Sequence, residues 1–259
     1  MNEMRNKQAF ICDMDGVIYH GDRLLPGVPE FVDWLKREGK KFLFLTNSSE
    51  RAPRELHEKL ARLGLDVAKE HFYTSALATA AFIAGQAPES TAYVIGESGL
   101  INALYDAGIS MNDINPDYVV VGEARSYTYE NILRAVKFIQ NGAKLIGTNP
   151  DLTGPTEQGL VPATGALISP IEQATHNQAY FVGKPNPLMM RTALKKLGCR
   201  REDTVIIGDR MDTDIVAGVE SEIFTALVLS GCTKREDLSS FAYRPDCILE
   251  GVGDIPGEP

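Results

Sequence analysis

Two apolar runs of the chain end in carboxylates, and this pairing restricts the fold more than any other feature of the sequence. Residues 10–12 run into Asp13 and Asp15, and residues 205–208 run into Asp209. Short apolar runs of this kind are typical of buried strands in a parallel sheet. The carboxyl ends of parallel strands meet at one edge of the sheet. We therefore expect the acids of both runs to share one site for a hard cation.

The composition is that of an ordinary globular protein. The chain has 259 residues, of which 44% are hydrophobic and 24% are charged. This length suits one large domain or two modest ones. The formal net charge of -9 argues against a nucleic-acid or anionic-membrane partner, since both need a basic surface.

The cysteines and the N-terminal segment predict a cytoplasmic protein. Cys12, Cys199, Cys232 and Cys247 show neither C-x-x-C spacing nor a paired histidine. Free thiols in a reducing compartment are therefore favoured over a zinc site or a disulfide framework. The sequence shows no signal-peptide pattern, and no stretch approaches the ~20 apolar residues of a membrane span.

Strand and helix patterns alternate along almost the whole chain, which predicts an α/β fold with mostly parallel strands. Strands are predicted at residues 8–12, 41–45, 92–95, 118–121, 144–146, 204–207 and 224–229, and helices at 29–38, 53–63, 100–107, 129–140 and 188–197. These strands form either one continuous sheet or a core interrupted by an inserted domain of roughly 100 residues. The insertion is favoured because the acids at 13 and 209 must converge to share a cation.

The residue types at the first acidic run suit phosphoryl transfer. Held against Mg²⁺, the Asp13 carboxylate is a competent nucleophile on phosphorus. Asp15 could protonate the leaving alkoxide and later activate water, and Asp209 could complete the oxygen shell of Mg²⁺. Taken alone, the D-x-D-G pattern is better explained by an ordinary turn, because short motifs recur by chance. A calcium loop is disfavoured because apolar and aromatic residues follow Gly16.

Further polar residues follow the later strand patterns. Thr46 and Asn47 could hold a phosphate oxygen or simply cap a helix. Lys184 lies between a predicted strand and a helix start, where its ammonium could bind phosphate; most lysines are instead solvated surface residues. Asp214 could orient Lys184 or a metal-bound water, or serve a helix N-terminus.

In this order the pieces resemble the four motifs of the haloacid dehalogenase-like (HAD) phosphatases. The matching residues are Asp13-x-Asp15-Gly16-Val17, Thr46-Asn47, Lys184 and Gly208-Asp209-x-x-x-x-Asp214. Other segments resemble the NagD-like subgroup, which carries a large α/β (C2-type) cap between the second and third motifs. These segments are residues 26–30, 73–76, 93–97, 120–122, 148–151 and 183–185.

The resemblance spans essentially the whole chain and implies a fold and a set of catalytic roles. It implies a Rossmann-like parallel-sheet core at residues 1–80 and 180–259, with an inserted α/β cap domain at 81–179. Asp13 would be the nucleophile and Asp15 the general acid and base. Mg²⁺ would be held by the Asp13 side chain, the Asp15 backbone carbonyl and Asp209.

The same resemblance assigns the phosphate and the substrate contacts. The residues that would bind the transferring phosphate are Thr46, Asn47 and Lys184. Asp214 would support these residues without touching the phosphate. The cap would choose the leaving group, and its candidate substrate contacts are Asn149, Asp151 and Arg125. Arg210 stands where members of the family often carry asparagine, which leaves the substrate preference open.

The sequence thus predicts a Mg²⁺-dependent phosphatase that hydrolyses small phosphomonoesters, sugar phosphates or nucleoside monophosphates, through an aspartyl-phosphate. Three alternatives are a haloalkanoate dehalogenase, a phosphotransferase, and a catalytically idle, metabolite-sensing or regulatory protein of the same fold. A dehalogenase needs no metal and no acid at Asp15, so the presence of Asp15 speaks against it. The sequence leaves open whether the chain forms a homo-oligomer.

Overall fold

The computed structural model describes residues 2–156 and 159–256. In chain order, its strands are β1 (Ala9–Cys12), β2 (Tyr19–His20), β3 (Arg23–Leu24), β4 (Lys41–Thr46), β5 (Phe72–Thr74), β6 (Thr91–Ile95), β7 (Ser110–Met111), β8 (Tyr118–Val121), β9 (Lys144–Gly147), β10 (Thr153–Thr156), β11 (Gly159–Pro162), β12 (Tyr180–Phe181), β13 (Thr204–Gly208), β14 (Phe224–Val228) and β15 (Cys247–Leu249). Its α-helices are α1 (Asn2–Asn6), α2 (Val28–Arg37), α3 (Pro53–Arg62), α4 (Ser75–Gln86), α5 (Ser98–Asp106), α6 (Tyr129–Gln140), α7 (Thr164–Thr175), α8 (Pro187–Leu197) and α9 (Val216–Glu220). Across the described residues, every helix is too short or too polar to cross a bilayer.

The strands form two main sheets and not one continuous sheet. The first has six strands in the order β15-β14-β13-β1-β4-β5, and the second has five in the order β12-β9-β8-β6-β7. Strand β1 lies between β13 and β4 and runs parallel to both. In the second sheet β8 runs parallel to β6 and to β9. The predicted α/β fold with a parallel-sheet core is confirmed.

The backbone contacts divide the chain into two compact units. The first consists of Met1–Thr46, His57–Tyr73 and Lys184–Pro259, and the second of Asn47–Leu56 and Thr74–Gly183. The five-stranded sheet belongs to the second unit. This division assigns the segment that follows β4, residues 47–56, to the second unit. The predicted boundaries between core and cap, near residues 80 and 180, stay predictions.

Strand β1 is the buried centre of the first unit. All four of its residues are buried, as expected for a strand that is covered on both faces. Phe10 packs edge-on against Phe31 and Trp34 of α2, with ring centroids 6.4 and 5.4 Å away. Helix α2 begins after Gly27, whose φ of 77° is left-handed and therefore suits glycine. This packing fixes β1, and with it the residues that follow at its carboxyl end.

The second unit has its own apolar core. Val119 and Val121 of β8 pack in one cluster with Ala135 and Ile139 of α6. A reciprocal capping box between Thr128 and Asn131 starts α6. The unit therefore has the parts of an independent α/β layer: a parallel sheet, a capped helix and a shared core.

Candidate active site

Strands β4, β1 and β13 deliver their C-terminal residues to the same edge of the first sheet. Cys12, the last residue of β1, is in register with Ile207 on one side and with Phe44 on the other. The backbone N–H of Asp13 still donates to the carbonyl of Ile207 at 2.8 Å. Asp209 follows the end of β13 directly. The two acidic runs therefore converge, as the sequence predicts.

Lys184 is buried between two carboxylates of the first unit. Its side chain is 3% exposed and its Nζ pairs with Asp13 Oδ1 and, at 2.6 Å, with Asp214 Oδ1. Burial alone would lower the pKa of Lys184, but the carboxylates of Asp13 and Asp214 raise it above its ordinary value. Lys184 is thus a fixed cation of the site and not a solvated surface lysine. Contact with Lys184, one of the roles that the sequence leaves open to Asp214, is thus present in the structure.

Three carboxylates form a cluster that fits a hard cation. Ligand oxygens of Asp13, Asp209 and Asp214 all lie within 4.8 Å of one another. Burial raises the pKa of Asp13 well above its ordinary value; Lys184 opposes the shift, while Asp214 and Asp209 reinforce it. An all-oxygen, carboxylate-rich donor set is the kind that Mg²⁺ prefers. A divalent cation would also relieve the repulsion among these three carboxylates.

Asp209 is held by the loop that follows β14. Its carboxylate Oδ2 accepts the backbone N–H of Cys232 at 2.6 Å. Burial, reinforced by Asp214, raises the pKa of Asp209 to about 7. A Cβ added to Gly16 would lie 2.5 Å from the same Oδ2. Gly16 therefore does more than turn the chain, because only a residue without a side chain lets the turn after Asp15 approach Asp209.

Asp15 has a different environment from Asp13. Its side chain is 42% exposed and lies 3.8 Å from the Nδ1 of His20. Burial raises the pKa of Asp15, whereas Lys59 and His20 lower it. Lys59 is buried, with its Nζ 3.6 Å from the centre of the Tyr19 ring. No motif in the sequence singles out Lys59, which lies in the helix predicted at residues 53–63.

Arg210 is engaged by a neighbouring acid. Its Nε donates to Asp212 Oδ1 at 3.0 Å, and its Nη2 to Asp212 Oδ2 at 2.8 Å. Its backbone N–H donates to Asp214 Oδ2 at 3.1 Å. The main chain of Arg210 thus helps to fix Asp214, while the guanidinium forms a bidentate pair with the exposed Asp212.

Asn47 and two of the predicted substrate contacts meet inside the second unit. Asn47 Nδ2 donates to Asp151 Oδ2 at 2.8 Å, and Asn149 Nδ2 donates to the Asn47 carbonyl at 2.8 Å. Asn149 is fully buried. The third predicted substrate contact, Arg125, has a side chain that is 77% exposed, and its Nε lies 3.5 Å from Glu50 Oε1.

Glu123 joins the same group, and the sequence did not point to it. Its Oε2 accepts the backbone N–H of Ser49 at 2.9 Å and also the Ser49 hydroxyl. Its Oε1 accepts Asn149 Nδ2 at 2.9 Å. Burial raises the pKa of Glu123, although these hydrogen bonds oppose the shift. The sequence feature that could have indicated Glu123 is its position: it directly follows residues 120–122, which resemble the NagD-like subgroup, near the end of a predicted strand.

Family models match most of the chain, including the segments that carry Asp13, Lys184 and Asp209. Residues 10–110 match a haloacid dehalogenase-like hydrolase model, and residues 181–255 match a second, HAD-hydrolase-like model. The chain therefore belongs to the haloacid dehalogenase-like hydrolases.

Within that family, individual relatives place it more narrowly. It is 44% identical over 247 residues to the dihydroxyacetone phosphatase of Corynebacterium glutamicum (strain R), covering 95% of this chain and 90% of the relative. It is 42% identical to the ribonucleotide monophosphatase NagD of Escherichia coli (strain K12), covering 95% and 96%. The solved structure of NagD superposes with a TM-score of 0.92, covering 96% of this chain and 98% of that one. A 4-nitrophenylphosphatase structure from Thermotoga maritima, 33% identical, gives 0.95 and covers 99% and 98%. The chain is a NagD-like phosphatase, a phosphoric monoester hydrolase.

Proposed function

We propose that the chain hydrolyses small sugar phosphates or nucleoside monophosphates by a two-step, Mg²⁺-dependent reaction at Asp13. The observation that carries this proposal is the pairing of Asp13 with the buried Lys184 beside Asp209 and Asp214. A largely buried carboxylate that contacts a fixed cation suits attack on a phosphate dianion, because the ammonium offsets the repulsion between nucleophile and substrate. Two of the relatives named above are a dihydroxyacetone phosphatase and a ribonucleotide monophosphatase.

In the first step a carboxylate oxygen of Asp13 forms a bond to phosphorus while the bond from phosphorus to the leaving oxygen breaks. Asp15 gives its proton to that oxygen, so that an alcohol departs. The elevated pKa of Asp15 supports this role, because a carboxyl that keeps its proton nearer neutrality is a better acid there. Lys184 neutralises charge on the phosphoryl group throughout.

In the second step Asp15, now a carboxylate, removes a proton from water. The water oxygen bonds to phosphorus, the bond to Asp13 breaks, and inorganic phosphate leaves. The cation ligands would be the side chains of Asp13 and Asp209 together with the Asp15 backbone carbonyl. Mg²⁺ bound there would neutralise developing charge on the phosphate oxygens. Thr46 and Asn47 are proposed as phosphate ligands on the strength of their motif, and Asn149 and Asp151 as part of the leaving-group pocket.

The test is phosphate release from a panel of sugar phosphates, nucleoside monophosphates and pyridoxal phosphate, with Mg²⁺ and with chelator. We expect turnover only with the metal, and loss of turnover in Asp13→Asn. Asp106→Asn, an exposed acid at the end of α5, is the matched control and should keep the rate. Full activity in Asp13→Asn would remove the proposed nucleophile, and no release from any substrate would remove the proposed function.

Two further properties are proposed, the location of the protein and its chemical partner. The four cysteines are free thiols in the structure, which agrees with a reducing, cytoplasmic location. Self-association of the chain is left to measurement, and sedimentation of the purified protein would decide it. The chemical partner is a small phosphorylated metabolite.

A further inference from the structure

A cluster in the second unit holds the segment that carries Asn47. It consists of Asn47, Ser49, Glu123, Asn149 and Asp151, and we call it the Asn47 clamp. Apart from the bond between Asp151 and Asn149, its hydrogen bonds join residues that are 26 or more positions apart in sequence. Ser49 and Asn149 are fully buried, so the clamp is a built polar network and not a solvated surface. Buried networks of this kind hold a unique geometry when their groups are satisfied.

Glu123 holds the segment at Ser49. One carboxylate oxygen accepts both the backbone N–H and the hydroxyl of Ser49. A carboxylate is suited to this because it only accepts hydrogen bonds and can take several at once. The contact fixes the main chain two residues beyond Asn47.

Asn149 connects Glu123 to Asn47. Its side-chain Nδ2 donates to Glu123 Oε1 at 2.9 Å and to the Asn47 carbonyl at 2.8 Å. Its Oδ1 accepts the backbone N–H of Asp151 at 3.1 Å. Asp151 in turn accepts Asn47 Nδ2 at 2.8 Å. The backbone and the side-chain amide of Asn47 are thus both fixed through groups that Glu123 orients.

We infer that Glu123 is a positioning residue that fixes the Asn47 amide for phosphate binding, acting through Ser49 and Asn149. This rests on the proposed function, in which Asn47 binds the transferring phosphate. It also gives Asp151 a role apart from touching the leaving group, because its carboxylate sets the plane of the Asn47 amide. The energetic reason is that a phosphate ligand held in its binding geometry loses less freedom when the phosphate arrives.

The first test is Glu123→Ala, with inorganic phosphate as the probe. We expect the dissociation constant of phosphate, measured by calorimetry with Mg²⁺, and the KM of the best substrate each to rise about 10-fold. Glu123→Gln should recover part of the loss, because its amide oxygen can still accept from Ser49. Glu130→Ala, an exposed glutamate in the first turn of α6, is the matched control and should change neither constant.

A double-mutant comparison separates positioning from general support of the fold. If Glu123 acts through Asn47, Glu123→Ala should weaken phosphate binding in the wild-type background but add almost nothing in an Asn47→Ala background. Equal losses in both backgrounds would overturn the inference. A lower melting temperature with unchanged phosphate binding and KM would also overturn it, since that is what a purely structural role produces.

A milder variant covers the case in which Glu123→Ala does not fold. Ser49→Ala removes only the hydroxyl contact and leaves the backbone N–H to Glu123, and we expect a smaller rise in both constants, about 3-fold. Unchanged constants in a folded Ser49→Ala protein would then count against the inference. The phosphate titration does not depend on knowing the substrate. A wild-type protein that binds phosphate but hydrolyses no substrate would contradict the proposed function. The effect of the clamp on the dissociation constant of phosphate could still be measured in that case.

Discussion

The buried Lys184 leads to a prediction about stability that is separate from catalysis. Replacing it with methionine keeps most of the side-chain volume but leaves Asp13 and Asp214 without the ammonium that pairs with both. Removing one partner of a buried ion pair costs about 3–5 kcal/mol, because the remaining charge is left uncompensated. We therefore expect Lys184→Met to lower the free energy of unfolding near neutral pH by about that amount.

The pH dependence of this loss follows from the carboxylates. Burial already raises the pKa of Asp13, and without Lys184 that pKa rises further. The folded variant then binds more protons than its unfolded chain above the ordinary carboxyl range, so its stability falls as pH rises. The defect should therefore be large near pH 7.5 and much smaller near pH 5. Added Mg²⁺ should restore part of it by supplying positive charge to the same acids.

Urea unfolding followed by circular dichroism, with chelator and at both pH values, measures this directly. The matched control is Lys137→Met, an exposed lysine on α6, which should stay within about 0.5 kcal/mol of the wild type. A loss below about 1 kcal/mol near neutral pH would contradict the assignment of Lys184 as a desolvated counter-ion. So would a loss that grows on acidification.

Two further substitutions probe the acids of the first sheet. Gly16→Ala should lower the free energy of unfolding by about 1–2 kcal/mol, because its backbone is left-handed. Since the added methyl group would press on Asp209, this variant should also lose Mg²⁺-dependent turnover. Gly39 is equally left-handed but has open space around it, so Gly39→Ala should lose stability and keep its turnover. Asp15→Asn should slow the hydrolysis of a sugar phosphate far more than that of 4-nitrophenyl phosphate, because nitrophenolate leaves without a proton. Equal slowing of the two substrates in steady-state kinetics would count against Asp15 as the acid.

Much of the fold could be predicted because its strongest signals are local. The helix predicted at residues 129–140 coincides with α6, and the strand predicted at 118–121 coincides with β8. Helix α4 was not predicted, since its small and apolar residues surround the whole helix and give no one-sided period. Helix α7 was not predicted either, because it carries Pro170 in its interior and proline there argues against a helix.

For the site as well, residues in local sequence motifs could be predicted, whereas residues defined by distant contacts could not. Asp13, Asp209, Asp214 and Lys184 belong to short motifs at strand ends, so the sequence predicts them as site residues, and the structure brings their side chains together. Glu123 has no such motif: its partners Ser49 and Asn149 lie 74 and 26 residues away. Only the folded second unit brings them together, and no spacing rule in one sequence reports such a contact.

The central place of β1 has a consequence for the order in which the chain can fold. β1 is synthesised long before β13, yet Ala9 pairs with Thr204 of β13. Until that late segment emerges, one edge of a fully apolar strand has no native partner, which is the condition for slow folding and for wrong pairing with other chains. Chains that stop short of β13 should therefore be held by chaperones or aggregate. The acids that make the site become neighbours only after β13 has been synthesised.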